Sequence, residues 1–131
     1  MSFGFSPSDI VALSALAWRC YKACRDSSDQ FQRISGEVSN LKVVLDETKE
    51  AIEENQPLSP TREERLKLAI EECERALQDL EKLLGSYESM NTQNQRVWDR
   101  LSFGLKDTAD IRSRMISHTT TLSALSQGIH Q

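Results

Sequence analysis

The chain has 131 residues, of which 38% are hydrophobic and 6% aromatic, with five glycines and three prolines. This length suits one domain with a buried core, and the scarcity of turn-forming and aromatic residues favours an all-α fold. The net charge of −4 argues against nucleic-acid binding, which needs a basic surface, and no basic cluster of the kind that anionic membranes recruit is present.

The first predicted helix covers about residues 7–25 and opens with several start signals. Ser6 fits the N-cap position and Pro7 the first helical position. Phe5 and Ile10 have the spacing of a hydrophobic staple, which fixes the entry angle of the chain. A helix is therefore expected almost from the beginning of the chain.

The apolar arc of this helix is wider than the stripe of an ordinary surface helix. The central stripe consists of Ile10, Leu13, Ala17, Tyr21 and Cys24, with Leu16 and Cys20 on one flank and Val11 and Trp18 on the other. Two interpretations account for this width. Either the helix lies deep in a bundle among three neighbours, or it has a second role, in which it leaves the bundle and inserts in a membrane or offers one apolar flank to a partner copy.

Three more helices are predicted, at about residues 28–55, 60–86 and 92–127. Ser27 with Gln30 is expected to start the second helix. For the third helix, Ser59 with Pro60 competes with a capping box that begins at Thr61.

Each of these helices has apolar residues at alternating steps of three and four, which is typical of bundles and coiled coils. The second stripe is Phe31, Ile34, Val38, Leu41, Leu45, Thr48 and Ile52. The third is Leu66, Ile70, Cys73, Leu77, Leu80, Leu84 and Tyr87. The fourth is Val97, Leu101, Gly104 or Leu105, Thr108, Ile111, Met115, His118, Leu122 and Leu125.

Short polar breaks between helices predict that sequential helices are antiparallel neighbours. The predicted fold is an all-α, antiparallel up-down four-helix bundle that forms one domain over residues 1–131, and the alternative is an elongated coiled-coil dimer of helical hairpins. The second helix has three basic and seven acidic residues, a balance of −4, whereas the fourth has five basic and three acidic, a balance of +2. Opposite charge predicts that these two helices pack side by side.

The residue types that usually carry chemistry are few. The chain has three cysteines, Cys20, Cys24 and Cys73. An odd number without a regular spacing offers no disulfide framework, which favours a reduced, cytoplasmic chain. Two of them lie one turn apart on an apolar stripe, which is unlike a zinc site. His118 lies on an apolar stripe and is interpreted as a packed histidine, and His130 lies near the end of the sequence. No catalytic, metal or cofactor site is expected, and the chain is predicted not to be an enzyme.

The start of the chain is also unlike a leader or a membrane span. It has no basic region before the apolar run, and Arg19 and Lys22 interrupt that run well short of the roughly 20 residues that a span needs.

Two stretches carry a resemblance that covers almost the whole chain. Residues 1–47, MSFGFSPSDIVALSALAWRCYKACRDSSDQFQRISGEVSNLKVVLDE, resemble the N-terminal helical domain of many fungal proteins, where it precedes ankyrin repeats or an NLR-type nucleotide-binding module. Residues 98–125, WDRLSFGLKDTADIRSRMISHTTTLSAL, resemble the closing helix of that domain. The layout is similar to HeLo-like cell-death domains, to the Rx-type coiled-coil domains of plant immune receptors and to the bundle of the mixed-lineage kinase-like pseudokinase.

The resemblance implies a four-helix bundle that signals by self-association, with a first helix that engages the plasma membrane after oligomerisation. It implies partners of three kinds: other copies, membrane lipid and the downstream domains of the same polypeptide. The residues implied in membrane or partner binding are Phe3, Phe5, Ile10, Val11, Leu13, Leu16, Ala17 and Trp18. The acidic docking motif of the plant domains is absent from the third helix. A plain dimerisation or scaffolding module without membrane activity is the alternative function.

Overall fold

The computed structural model describes residues 7–88 and 102–129, with side chains described for residues 8–88 and 107–129. These residues form four α-helices: α1 at Pro7–Arg25, α2 at Asp29–Glu54, α3 at Pro60–Glu88 and α4 at Ser102–Ile129. The first helix has the predicted bounds, and the third is two residues longer than predicted. The predicted start of the fourth helix, at residues 92–101, lies outside the described residues.

The structure shows which residues cap the N-termini of α2 and α3. The prediction that Ser27 caps α2 is wrong by one residue, because Ser28 is the N-cap and its side chain makes no capping hydrogen bond. The side chain of Gln32 instead donates to the carbonyl of Ser27 at 2.9 Å. At α3, Ser59 is confirmed as the cap: its Oγ accepts from the backbone N–H of Arg62 at 3.3 Å.

The predicted stripes form the core of the molecule. All seven stripe residues of α2 and all seven of α3 are buried, and small side chains beside them, Ala51, Ala69 and Ala76, are buried as well. In α4, Thr108, Ile111, Met115 and Leu122 are buried, whereas His118 and Leu125 are half-buried. The other predicted members of that stripe, Val97, Leu101, Gly104 and Leu105, lie outside the described side chains.

The four helices alternate in direction and form an up-down bundle, as predicted. Around the bundle their order is α1, α2, α4, α3, because α1 packs on α2 and α3, and α4 packs on the same two helices. The helices α2 and α3 therefore lie diagonally opposite each other, and they meet in the centre, where the rings of Phe31 and Tyr87 are 5.3 Å apart. The expectation that every sequential pair is adjacent is wrong for this pair, and the elongated hairpin dimer is not the observed fold.

Two physical features explain this order. The connection at residues 55–59 reaches about 20 Å when extended, which is enough to cross the roughly 11–14 Å diagonal of a bundle whose neighbouring axes are about 8–10 Å apart. Leu58 within it is buried against the core. The predicted pairing of the acidic α2 with the basic α4 is confirmed, and Arg112 Nη2 lies 3.4 Å from Glu37 Oε1 between them.

Candidate functional site: the groove between the first two helices

The first helix carries the residues that the resemblance implies in binding, and the structure divides them into three groups. Ile10, Leu13, Leu16 and Ala17 are buried in the core. Val11 and Trp18 remain exposed, at 50% and 43% of their surface. Phe3 and Phe5 lie outside the described residues. Within the bundle, therefore, only Val11 and Trp18 among the described members can contact a partner without a change of fold.

The packing of α1 against α3 explains why one flank is buried and the other is not. Leu16 and Cys20 face α3, where the thiol of Cys20 lies 3.7 Å from the carbonyl oxygen of Leu77. Because α1 meets α2 through the opposite side of its stripe, Val11 and Trp18 are left at the outer edge of that contact. The wide apolar arc is thus accounted for by burial on one flank and by an exposed edge on the other.

This exposed edge borders an open groove of ≈ 550 Å³ between the two helices. We call it the α1/α2 groove, and it is lined by Val11, Ser14, Ala15, Trp18, Lys42, Asp46 and Lys49. The residues from α1 follow the spacing i, i+3, i+4 and i+7, and those from α2 follow i, i+4 and i+7, so each set lies along one helix face. The small side chains of Ser14 and Ala15 leave a depression between the larger Val11 and Trp18.

The floor of the groove is held by a short chain of hydrogen bonds. The hydroxyl of Ser14 donates to Asp46 Oδ1 at 2.8 Å, and Lys42 Nζ donates to Asp46 Oδ2 at 2.8 Å. Partial burial acts to raise the pKa of the Asp46 carboxyl, but the hydrogen bonds from Lys42 and Ser14 outweigh it and leave the pKa below its ordinary value. Asp46 is therefore ionised at neutral pH and joins the two helices.

One end of the groove is formed by an aromatic side chain surrounded by cations. The ring of Trp18 stacks on that of Tyr21, with centroids 5.3 Å apart and planes at 23°. Lys22 Nζ lies 5.6 Å from the centroid of the Trp18 ring and Lys42 Nζ lies 6.0 Å from it, within the range of cation–π attraction. Trp18 is therefore held in place before any partner arrives, which lowers the entropy cost of binding through it.

The other end of the groove has a second lysine. Lys49 Nζ forms an ion pair with Glu53 Oε1 at 2.7 Å, one turn along α2. With Lys42 and Lys49 against the single carboxylate of Asp46, the lining of the groove has a formal charge of +1. The α1/α2 groove thus combines an apolar edge with a basic rim, in a chain that is acidic as a whole.

The titratable groups elsewhere offer little chemistry to this groove. Burial raises the pKa of each of the three thiols, Cys20, Cys24 and Cys73, to about 12, and all three lie in the core. His118 lies on α4, away from the groove, and partial burial lowers its pKa. No group of three or more His, Cys, Asp or Glu side chains within residues 8–88 and 107–129 could hold a metal ion. None of the three cysteines, nor His118, lines the α1/α2 groove.

Sequence reasoning found the α1 side of the groove and missed the α2 side. The signal for Lys42, Asp46 and Lys49 was a polar face at helical spacing beside the core stripe of α2, but such faces are common on surface helices. Within the described part of the chain, none of the helices has the length and apolar character needed to cross a membrane. No protein-family model, curated protein or solved structure matches this chain.

Proposed function

We propose that this chain is a self-association module that acts as a folded bundle through the α1/α2 groove. In the context that the resemblance implies, it is the N-terminal signalling domain of a fungal NLR-like receptor, and association of its copies brings the attached domains together. The alternative, a plain dimerisation or scaffolding module without membrane activity, would use the same surface.

The observation that carries this proposal is the exposure of Val11 and Trp18 on either side of the depression at Ala15. Exposed tryptophans that are held in place and surrounded by smaller contacts are typical centres of binding energy at protein interfaces. The basic rim formed by Lys42 and Lys49 adds a charge that selects an acidic partner surface.

Membrane engagement by the first helix is the second candidate, and a specific feature favours it. Trp18 lies beside Lys22 and Lys42, and tryptophan next to lysine suits the interface between water and lipid. This candidate needs only the exposed flank if the bundle stays folded on the membrane surface.

Release of α1 into the membrane is a much larger step. Burial of a large apolar side chain contributes roughly 1.5–3 kcal/mol, so Ile10, Leu13 and Leu16 alone contribute about 5–9 kcal/mol to the folded bundle. That approaches the total stability of a typical domain, about 5–15 kcal/mol. Release of the helix would therefore amount to unfolding of the bundle, so a strong trigger would be needed.

The proposal is tested by sedimentation velocity over a range of protein concentration. We expect Trp18→Glu to weaken self-association about tenfold or more, because it removes the aromatic contact and places a carboxylate in the interface. Val43→Glu is the matched control, since Val43 is 53% exposed and does not line the groove. A wild-type chain that stays monomeric at every concentration would refute self-association. Equal weakening by both variants would refute the choice of surface.

Co-sedimentation with vesicles that contain anionic lipid separates the second candidate from the first. Membrane engagement predicts that the wild-type chain binds these vesicles and that Val11→Glu and Trp18→Glu abolish binding. The folded self-association module predicts no binding by any of the three proteins.

A further inference from the structure

Another exposed apolar side chain lies on α3, outside the lining of the α1/α2 groove. Leu68, on the outer face of α3, is 54% exposed. Glu64 and Glu71 lie one turn to either side of it, Arg75 follows one turn later, and all three are exposed. We call these four residues the α3 ridge.

The charges of this ridge match those of α2 in a single register. When Leu68 is placed level with Asp46, Glu64 is level with Lys42, Glu71 with Lys49 and Arg75 with Glu53. All three of these pairs have opposite signs. Both acidic residues of the ridge and both lysines of the groove are seven residues apart, a rise of about 10.5 Å along a helix.

We propose that the α1/α2 groove receives the α3 ridge of a second copy of this chain. This inference rests on the proposed function of self-association and names the two surfaces that would meet. The incoming α3 runs parallel to the receiving α2, and Leu68 enters the depression at Ala15, between Val11 and Trp18. Glu64 and Glu71 then lie beside Lys42 and Lys49.

The existing ion pairs of the two lysines do not oppose this contact. Lys42 with Asp46 and Lys49 with Glu53 are i, i+4 pairs whose side chains are 31–51% exposed, and such exposed pairs hold their partners weakly. Each lysine can therefore contact a glutamate of the incoming helix while it stays close to its present partner. Arg75 of the incoming copy approaches Glu53, so that Glu53 lies close to both Lys49 and this arginine.

The contact is heterologous, because the groove and the ridge are different surfaces of the same molecule. After two copies bind, one still has a free ridge and the other still has a free groove, so further copies can add in a row or the row can close into a ring. A self-complementary dimer, in contrast, would use one surface twice and would stop at two copies. The heterologous contact and the self-complementary dimer predict different results when a variant with a blocked groove is mixed with a variant with a blocked ridge.

The experiment uses one variant with a blocked groove, Ala15→Arg, and one with a blocked ridge, Leu68→Arg. Both positions are exposed, so both variants are expected to keep the helical circular dichroism spectrum of the wild type. Sedimentation velocity should show each variant alone as a monomer. An equimolar mixture should form a one-to-one heterodimer, because the first variant has an intact ridge and the second an intact groove. Val43→Arg is the control and should assemble like the wild type.

A mixture that stays monomeric, or a Leu68→Arg variant that assembles like the wild type, would overturn the inference. In the second case, loss of assembly in Ala15→Arg would leave the proposed function in place with another partner surface. A wild-type chain that does not assemble would refute the proposed function itself, so the two failures can be told apart.

A charge exchange tests the register independently. We expect Lys49→Glu and Glu71→Lys each to weaken assembly about two- to fivefold, the range of exposed ion pairs. The chain with both substitutions should recover to within about twofold of the wild type, because the pair of opposite charges is restored. Additive weakening in the double variant would contradict the register.

Discussion

At the scale of single residues, the three cysteines show how burial suppresses chemistry. Cys20 and Cys24 lie in the core with almost no accessible surface, and burial is the largest cause of the raised pKa of each thiol. Cys73 on α3 has the same character. A thiol with a pKa of about 12 is deprotonated in only roughly one molecule in ten thousand at pH 8, and the thiolate is the reactive form.

We therefore expect a thiol-specific chromogenic disulfide reagent to modify none of the three cysteines in the folded protein. All three should react in denaturant, and in native buffer the slow modification should follow the rate at which the bundle unfolds. Absorbance of the released chromophore counts the modified thiols. Rapid modification of even one thiol in the native protein would show that a cysteine is accessible and would contradict the packing of α1 on α3.

His118 predicts a dependence of stability on pH. Partial burial, followed by the positive charge of Arg114, lowers its pKa, while Glu72 acts in the opposite direction. Between the lowered pKa and the ordinary value of about 6.5, the unfolded chain binds more protons than the folded one. Stability therefore falls as the pH decreases through about 6.5, and the loss levels off once the folded imidazole is protonated as well.

His118→Gln should remove this part of the pH dependence. Urea unfolding midpoints at about pH 7 and about pH 5.5 should lie closer together for the variant than for the wild type. NMR titration of His118 should give a pKa below that of the same residue in denaturant. Equal midpoint shifts in the two proteins would mean that His118 does not contribute.

At the scale of the elements, the apolar stripes could be predicted from the sequence and the role of the wide α1 arc could not. A stripe needs only the helical period, so Phe31 on α2 and Tyr87 on α3 were assigned correctly. The arc of α1 depended on which neighbour covers each flank, which is a property of the assembled bundle. Val11 and Leu16 are both apolar in the sequence, and only the position of α3 makes one exposed and the other buried.

The start of α3 gives a matched pair of substitutions at neighbouring positions. Ser59→Ala removes the oxygen that accepts from the N–H of Arg62, and loss of an N-cap costs about 1 kcal/mol. Thr61→Ala should change the free energy of unfolding by less than about 0.5 kcal/mol, since Thr61 is exposed and already lies inside the helix. Urea unfolding of both variants measures the difference. A larger effect at Thr61 would place the start of α3 two residues later.

At the scale of the whole molecule, the order of the helices depends on the connection between α2 and α3. Short polar breaks between helices suggest that sequential helices are neighbours, but the five-residue connection at positions 55–59 is long enough to cross the bundle. The opposite charges of α2 and α4 correctly indicated which helices are neighbours, and the ion pair of Glu37 with Arg112 lies between them. A prediction from loop length alone failed here because length sets an upper limit on reach, not the path that the chain takes.

The diagonal connection leads to a prediction about assembly. Deletion of Gln56 and Pro57 would reduce its reach from about 20 Å to about 13 Å, which leaves no slack across a diagonal of roughly 11–14 Å. We expect the shortened monomer to be strained, so that α1 and α2 of one chain pair with α3 and α4 of another in a domain-swapped dimer. In this dimer each bundle has the same core contacts as the monomer, but they form between helices of two chains.

The control is insertion of two residues, Gly-Ser, after Gln56. The longer connection should lower the free energy of unfolding by less than about 0.6 kcal/mol, and the four helices of one chain should still form the bundle. Light scattering on both proteins in the Leu68→Arg background separates swapping from association through the α3 ridge. The shortened chain should then remain dimeric on dilution, because dissociation of a swapped dimer requires unfolding of both bundles. A shortened chain that is monomeric and as stable as its parent would show that α2 and α3 do not need the full length of this connection, and would contradict their diagonal placement.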